Sequence, residues 1–403
     1  MILFGHPTGS PFSHQAALAH YESLRLEAFC VPWMPTATQV GYLQRIPGVS
    51  LPASRLERRS FPPLMSAPRV EGPIREGVRM VRRLLSGQRV EERLAYEAND
   101  WLMRTMRKEC RRPSVTAVHA YEDCSLWQFE EAKRRDLACI YDMPIGYYPA
   151  WEEINANLVR AYSDWLPPGE LASSHYVRPV QKRKEMALAD LVLAPTDFVR
   201  RSVHRFVDKE VKLAPYGVDL DFWQPAASKP TTGQLRFIYA GQCSLRKGIP
   251  VLLQAWLAAG LKDAELELVG PWRLAGGRQH LLPPGVRLIG PLSRAALRSR
   301  YRSAGVFVFP SFFEGFGLVL LEAMACGLPA VATNATAGPD VLSEESGHVI
   351  PAGDVEALVE SLRWFSRNRD RLPEMARAAR AAAELHSWKS YRRCVSEAVS
   401  AFA

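Results

Sequence analysis

The sequence predicts an α/β protein made of two parallel-sheet domains that face each other across a cleft. Three observations carry that expectation. The chain has 403 residues, room for two domains of ordinary size. Short apolar runs of strand type alternate with helical segments, a rhythm that covers parallel sheets with helices on both faces. The alternation is interrupted at 218–233 by a polar stretch that reads as a hinge, and it restarts at 235.

The elements follow in order. Residues 1–5 form a candidate strand, 13–24 a helix and 26–31 a strand. Residues 32–75 hold Pro32, Pro35, Pro47, Pro52, Pro62, Pro63, Pro68 and Pro73, and read as a long irregular excursion. Residues 91–109 are helical in pattern, and strands at 115–118 and 138–141 enclose a helix at 126–135. Residues 182–189, 191–194, 197–207 and 211–214 continue as helix, strand, helix, strand. The second half is cleaner, with strands near 235–240, 264–269, 286–289, 305–309, 330–333 and 348–350 and helices between them. An Ala- and Arg-rich segment at 373–402 is again helical in pattern. In such sheets ligands bind at the carboxyl ends of the strands.

Composition narrows the class. A hydrophobic content of 47% suits a soluble globular chain, and no apolar run reaches spanning length. Residues 1–7 are too short for a signal peptide and lack a basic flank. Seven cysteines without a C-x-x-C spacing argue against a disulfide framework or a zinc site and predict a cytoplasmic protein. The net charge is +9, and 15 Lys and Arg against 8 Asp and Glu lie between Arg55 and Arg112. One reading of that cluster is a solvated helix surface. The other is peripheral contact with an anionic membrane or acceptor. Nucleic acid is excluded by the absence of interleaved aromatics and of any recognised binding motif.

The most informative segment is 305–333, GVFVFPSFFEGFGLVLLEAMACGLPAVAT. A buried strand ends at Pro310, a tight loop holds Gly315 and Gly317, and an apolar helix runs from 318 to 326 before a second strand. Glu322 is the only charge in that helix, and a carboxylate there needs partners. The loop ends at a helix N-terminus, where free N–H groups and the dipole hold anions. An anion site flanked by Glu314 and Glu322 fits a diphosphate set between two polyols, whose hydroxyls donate to carboxylates.

This segment resembles the Glu-x7-Glu signature of retaining glycosyltransferases of the GT-B class, the group 1 or family 4 type. The runs ADLVLAPTDFVRRSV at 189–203, VKLAPYGVDLDFWQP at 211–225, FIYAGQCSLRKGIPVLLQAW at 237–256 and LIGPLSRAALRSRYRSAGVFVFPS at 288–311 are similar to that family's as well. The resemblance covers about 185–365 and is loose over 1–184. It implies the GT-B fold, with two Rossmann-like domains. Residues 1–217 would bind the acceptor, 218–384 would bind the nucleotide sugar, and a terminal helix at about 385–403 would pack back on the first domain.

The resemblance also implies roles. Glu314 would contact hydroxyls of the transferred sugar, and Glu322 would hold the ribose. Backbone N–H groups of Phe316, Gly317 and Leu318, beside Gly315, would meet the diphosphate and sugar. Lys247 matches the family's phosphate lysine. Gln242 stands where the family has arginine, a departure that leaves Arg246 as the candidate second cation. His119, at the end of the strand expected at 115–118, would face the donor sugar. Gly9 lies in the loop near donor phosphate and acceptor, and Asp142 is a weaker acceptor-side candidate. Leu268–Arg273 and 290–293 would flank the base.

Asp219 and Asp221 spell D-x-D, but they fall in the family's structural Gly-Val-Asp run, so no metal and no cofactor is expected. The expected activity is metal-independent transfer of a hexose, with retention, to a hydroxyl of a glycan or lipid-linked acceptor. The alternatives are a sugar-nucleotide epimerase or a phosphorylase on the same fold, or a non-catalytic nucleotide-sugar-binding protein.

Overall fold

The computed structural model describes residues 1–45, 59–84, 88–167, 178–227 and 233–402. The first half runs β1 (Ile2–Gly5), α1 (Pro11–Glu22), β2 (Leu26–Cys30), α2 (Ala37–Gln44), β3 (Arg69–Val70), α3 (Pro73–Leu84), α4 (Gln88–Glu109), β4 (Ala117–Tyr121) and α5 (Leu126–Lys133). It continues with β5 (Ala138–Asp142), α6 (Tyr148–Ala161), α7 (Pro179–Leu188), β6 (Leu191–Ala194), α8 (Asp197–His204) and β7 (Val211–Leu213). The second half runs β8 (Leu235–Ala240), α9 (Ile249–Ala259), β9 (Ala264–Val269), β10 (Val286–Gly290), α10 (Arg294–Ser303), β11 (Val306–Phe309) and α11 (Leu318–Ala325). It ends with β12 (Ala330–Thr333), α12 (Gly338–Val341), β13 (Gly347–Ile350), α13 (Val355–Arg367), α14 (Leu372–Glu384) and α15 (Trp388–Ala398).

Two sheets result, one of seven strands in the order β3-β2-β1-β4-β5-β6-β7 and one of six in the order β10-β9-β8-β11-β12-β13. Every pairing between these strands is parallel. The strand order reverses between β1 and β4 in the first sheet and between β8 and β11 in the second. Those reversals open the crevices in which doubly wound sheets bind ligands. Leu3, Phe4, Phe237, Ile238, Phe307 and Val308 are fully enclosed, as strands covered on both faces require.

Several local expectations are corrected. The strand expected at 115–118 is Ala117–Tyr121, because Val115 closes a turn onto Arg112 and pairing begins where Ala117 meets Ile2. The first helix begins at Pro11, since Ser10 and Ser13 cap it reciprocally. The excursion at 32–75 is not wholly irregular: Thr36 and Gln39 cap α2, a two-residue register seats β3 on β2, and Pro73 opens α3. Its residues 46–58, and with them Arg55, lie outside the described residues. The sequence pattern showed no element at 148–161, where α6 lies. The run at 373–402 is two helices, because Ser387 caps a new one.

Helix α15 lies against α1: Arg392 holds Glu22 at 2.8 Å and Gln15 at 2.6 Å, and Arg25 donates to the carbonyl of Ser396 at 3.1 Å. Ala398 and Val399 close a small core with Ile2, Ala117, Ile140, Leu191 and Leu193. Among the described residues no helix is long and apolar enough to cross a membrane.

Candidate active site

The loop between β11 and α11 joins the two halves. Phe313 is fully buried, with its ring 5.4 Å from that of Trp151 and 5.5 Å from that of Phe198. Burying such a ring contributes about 1.5–3 kcal/mol, and here it holds the loop on the first domain. Gly315 is required because a side chain there would collide with the carbonyl of Pro144. Its own carbonyl accepts from Thr196 Oγ1 at 2.7 Å. Gly317 takes a φ of +81° as the N-cap of α11, so the chain turns abruptly and leaves the first N–H groups of the helix free of intrahelical partners.

Two cations reach Glu314 of this loop from the β8–α9 turn. Arg246 donates from Nη1 to the carbonyl of Phe313 at 2.7 Å and to Glu314 Oε1 at 3.3 Å. Lys247 Nζ is ion-paired with the same oxygen and sits 5.3 Å from the Phe309 ring centre. Burial would raise the Glu314 carboxyl, but the charges of Lys247 and Arg246 outweigh it and hold it below its ordinary value. Burial also lowers Lys247, with Glu314 opposing. The Glu314 carboxylate is thus kept charged at neutral pH. Gln242 does not join it: its side chain is exposed, and its carbonyl accepts the Tyr239 hydroxyl at 2.7 Å.

Glu322 lies on α11, half-buried, with its carboxyl pushed up to about 7 by burial; Arg294 opposes the shift and Asp219 adds to it. Arg294 lies 4.5 Å over the Phe222 ring and 3.7 Å from Asp219. Sequence reasoning missed this neighbour. Its one local signal was its place in the first turn of a helix capped by Ser293. Asp219 also accepts the N–H of Phe222 at 3.1 Å, which gives it a turn-closing role. Among the described residues no three His, Cys, Asp or Glu side chains are grouped as metal ligands. Trp272 donates to the carbonyl of Ala275 at 3.2 Å.

The facing side comes from the first sheet. Gly9 and Thr8 donate their N–H groups to His6 Nδ1 at 3.0 and 3.2 Å, which leaves the ring proton on Nε2. Burial, with His14 and Arg59 nearby, takes His6 down to about 3. His119 departs from the sequence reading. It is the third of five residues in β4, not a strand end, and it is 0% exposed. Its Nδ1 meets His20 Nε2 at 2.9 Å and its Nε2 lies 3.4 Å from Asp142 Oδ2. Burial lowers His119 to about 3 and raises Asp142 to about 8, so the contact is neutral at pH 7. Alternation along β4 turns this imidazole inward toward α1, where it has no surface on the cleft. Asp142, the last residue of β5, is itself only 3% exposed.

A cationic pair, a helix N-terminus and the Glu314 carboxylate therefore meet at the carboxyl ends of β8 and β11, with Glu322 in the second turn of the same helix. Such an arrangement can bind a diphosphate and hold hydroxyls on either side of it.

The profile of the family described as glycosyl transferases group 1 matches residues 223–384. The O-antigen chain mannosyltransferase B of Escherichia coli is 30% identical over 289 residues, covering 65% of this chain and 74% of that protein. The phosphatidyl-myo-inositol mannosyltransferase of Mycobacterium leprae (strain TN) is 34% identical over 189 residues, 44% of this chain and 50% of that protein. Among solved structures, the sucrose-phosphate synthase from Thermosynechococcus elongatus superposes with a TM-score of 0.63 at 16% identity, over 97% of this chain and 96% of its own. Anabaena HepE in complex with UDP and glucose gives 0.62 at 15% identity, over 99% of each chain. At these identities the structural likeness concerns the fold alone, and that fold is GT-B.

Proposed function

This chain belongs to the group 1 glycosyl transferases and is a GT-B glycosyltransferase; from that premise we propose that it transfers a hexose, with retention and without a metal ion, from a nucleoside diphosphate sugar to a hydroxyl of a glycan or lipid-linked acceptor. The observation that carries this reading is the convergence of Lys247 and Arg246 on Glu314 in front of the N-terminus of α11. The relatives named for O-antigen chain and phosphatidyl-myo-inositol mannosyl transfer support the acceptor class. Neighbouring structures solved in complex with UDP and with UDP-glucose support the donor.

In the proposed reaction the diphosphate lies between Lys247, Arg246 and the first N–H groups of α11, the ribose on Glu322 and the hexose on Glu314. The bond from the anomeric carbon to the diphosphate oxygen breaks, and its electron pair leaves with the phosphate. The acceptor oxygen bonds to that carbon from the same face, and its proton passes to the departing phosphate. The two cations and the helix dipole stabilise the charge that develops there. No side chain forms a covalent intermediate. The first domain presents the acceptor, and closure of the cleft excludes water.

The test is a thermal-shift screen of UDP-, GDP- and ADP-sugars. Ligand at ~100 times its Kd adds about 2.7 kcal/mol to the folded state, so the correct donor stands out. Turnover with chelator present and the anomeric configuration of the product, read by NMR, then check metal independence and retention. An inverted product, or activity abolished by chelator, overturns that part of the reading. Failure of every nucleotide sugar to raise the melting temperature overturns the donor site.

A further inference from the structure

Helix α3 turns an apolar stripe outward. Ile74 is 85% exposed, Val78 57% and Val81 55%, and their spacing of four and three residues puts them on one face. Arg75 and Arg82 are exposed along one edge of the stripe, while Glu76 and Arg79 are buried on the opposite side. The Glu76 carboxylate holds both Arg59, at 2.6 Å, and Arg79 Nε, at 2.8 Å, so one anion serves two cations beneath the helix. A cavity of about 200 Å³ between α3 and α4 is lined by Arg75, Arg79, Arg82, Glu97 and Trp101, with Arg82 paired to Glu97 at 2.8 Å. A helix packed on a domain ordinarily turns its apolar stripe inward. Three large apolar side chains in a row facing water mark a surface that meets something.

The charges beside the stripe decide among occupants. A cationic edge against apolar side chains is the pattern of a helix lying in the interface of an anionic bilayer. We propose that α3 docks this protein on an anionic lipid surface, with Ile74, Val78 and Val81 at the acyl boundary and Arg75 and Arg82 at the lipid phosphates. Helix α3 begins directly after β3, at the carboxyl edge of the first sheet, on the same side as the cleft. Glu76 in its first turn holds Arg59, two residues from Phe61, whose ring stacks on His14 of α1 at 5.1 Å. The membrane face and the acceptor side of the cleft therefore share an edge of the sheet, which selects the lipid-linked acceptor from the two classes named above. That last step rests on the proposed function; the docking itself does not.

The experiment is flotation of the full chain with phosphatidylcholine vesicles that contain about a third phosphatidylglycerol, and with pure phosphatidylcholine, in low and high salt. Wild type floats with the anionic vesicles in low salt and is released in high salt or from the neutral ones. Replacing Ile74, Val78 and Val81 together by serine abolishes flotation. Arg75→Glu reverses one charge and lowers the bound-to-free ratio at least about fivefold, the equivalent of about 1 kcal/mol per basic residue near the surface. Leu281→Ser, at an exposed apolar site in the second domain, leaves flotation unchanged. Unchanged melting temperatures, and an unchanged thermal shift with nucleoside diphosphate, show that the variants fold and keep their donor site. Three results overturn the proposal: no flotation of wild type in low salt, equal flotation of the triple-serine variant, or a wild-type dimer that the triple-serine variant dissolves. None of these bears on transfer to a soluble acceptor, so docking and catalysis fail separately.

Discussion

Glu314→Gln removes the charge that Lys247 and Arg246 share while keeping the shape of the side chain. The lysine side chain is 13% exposed and the arginine 26%, against 8% for the glutamate. Breaking a buried ion pair by removing one partner costs about 3–5 kcal/mol. The partial exposure of Arg246 and the oxygen that glutamine retains place this loss near the lower bound, at about 3 kcal/mol. A domain of this size loses about 2–4 °C per kcal/mol, so the melting temperature falls by about 6–12 °C. A nucleoside diphosphate supplies the missing negative charge. At ~100 times its Kd it adds about 2.7 kcal/mol, which restores most of the loss. Affinity for the free diphosphate is therefore kept or improved. Turnover drops, because the hydroxyl contacts that Glu314 makes tighten only as the sugar becomes cationic. Scanning fluorimetry with and without UDP, GDP or ADP, calorimetry and initial rates give the three readouts. An unchanged melting temperature without ligand would refute the shared-charge argument. So would a loss of nucleotide affinity as large as that of Glu322→Ala.

Three further outcomes follow from the same geometry. Lys247→Ala removes a charged hydrogen bond worth about 1.5–3 kcal/mol and lowers kcat/KM about 10- to 150-fold; Arg246→Ala is comparably damaging and Gln242→Arg partly rescues it, whereas a near-neutral Arg246→Ala would mean that this guanidinium never reaches the diphosphate. Glu322 titrates at about 7 in the fold against an ordinary 4.5, so it favours folding below the lower value and loses that contribution as pH rises through the upper one. Glu322→Gln should therefore match wild type in stability near pH 4.5, exceed it by up to about 3 kcal/mol above pH 8, and bind nucleotide more weakly; equal melting curves at both pH values would contradict the burial argument. His119→Ala leaves His20 and Asp142 without their buried partner, costs about 1–3 kcal/mol of stability and spares donor KM; a tenfold rise in KM with an unchanged melting temperature would return His119 to the donor site.

What was legible in the sequence lies in local chemistry. The alternation of apolar runs with helical stretches, punctuated by Gly and Pro, foretold every strand from β8 to β13 to within two residues at each end. The turn at Gly315 and Gly317, the helix after it and the spacing of Glu314 and Glu322 are equally local, because a tight turn and a helix N-terminus depend on the residues that form them. In the first half the same reading ran out. Where β4 starts is set by pairing with Ile2, more than a hundred residues away, and that register carries His119 from a strand end into the interior. Helices α2 and α3 were hidden behind prolines that turned out to precede or open them rather than break them. The sequence showed that Arg246 and Lys247 sit in one loop and Glu314 in another, but only the packing of the loop after β8 against the loop after β11 brings both cations to one carboxylate. The outward turn of Ile74, Val78 and Val81 belongs to the same class of fact. Periodicity defines an apolar face, and what lies on the other side of it decides whether that face is core or surface.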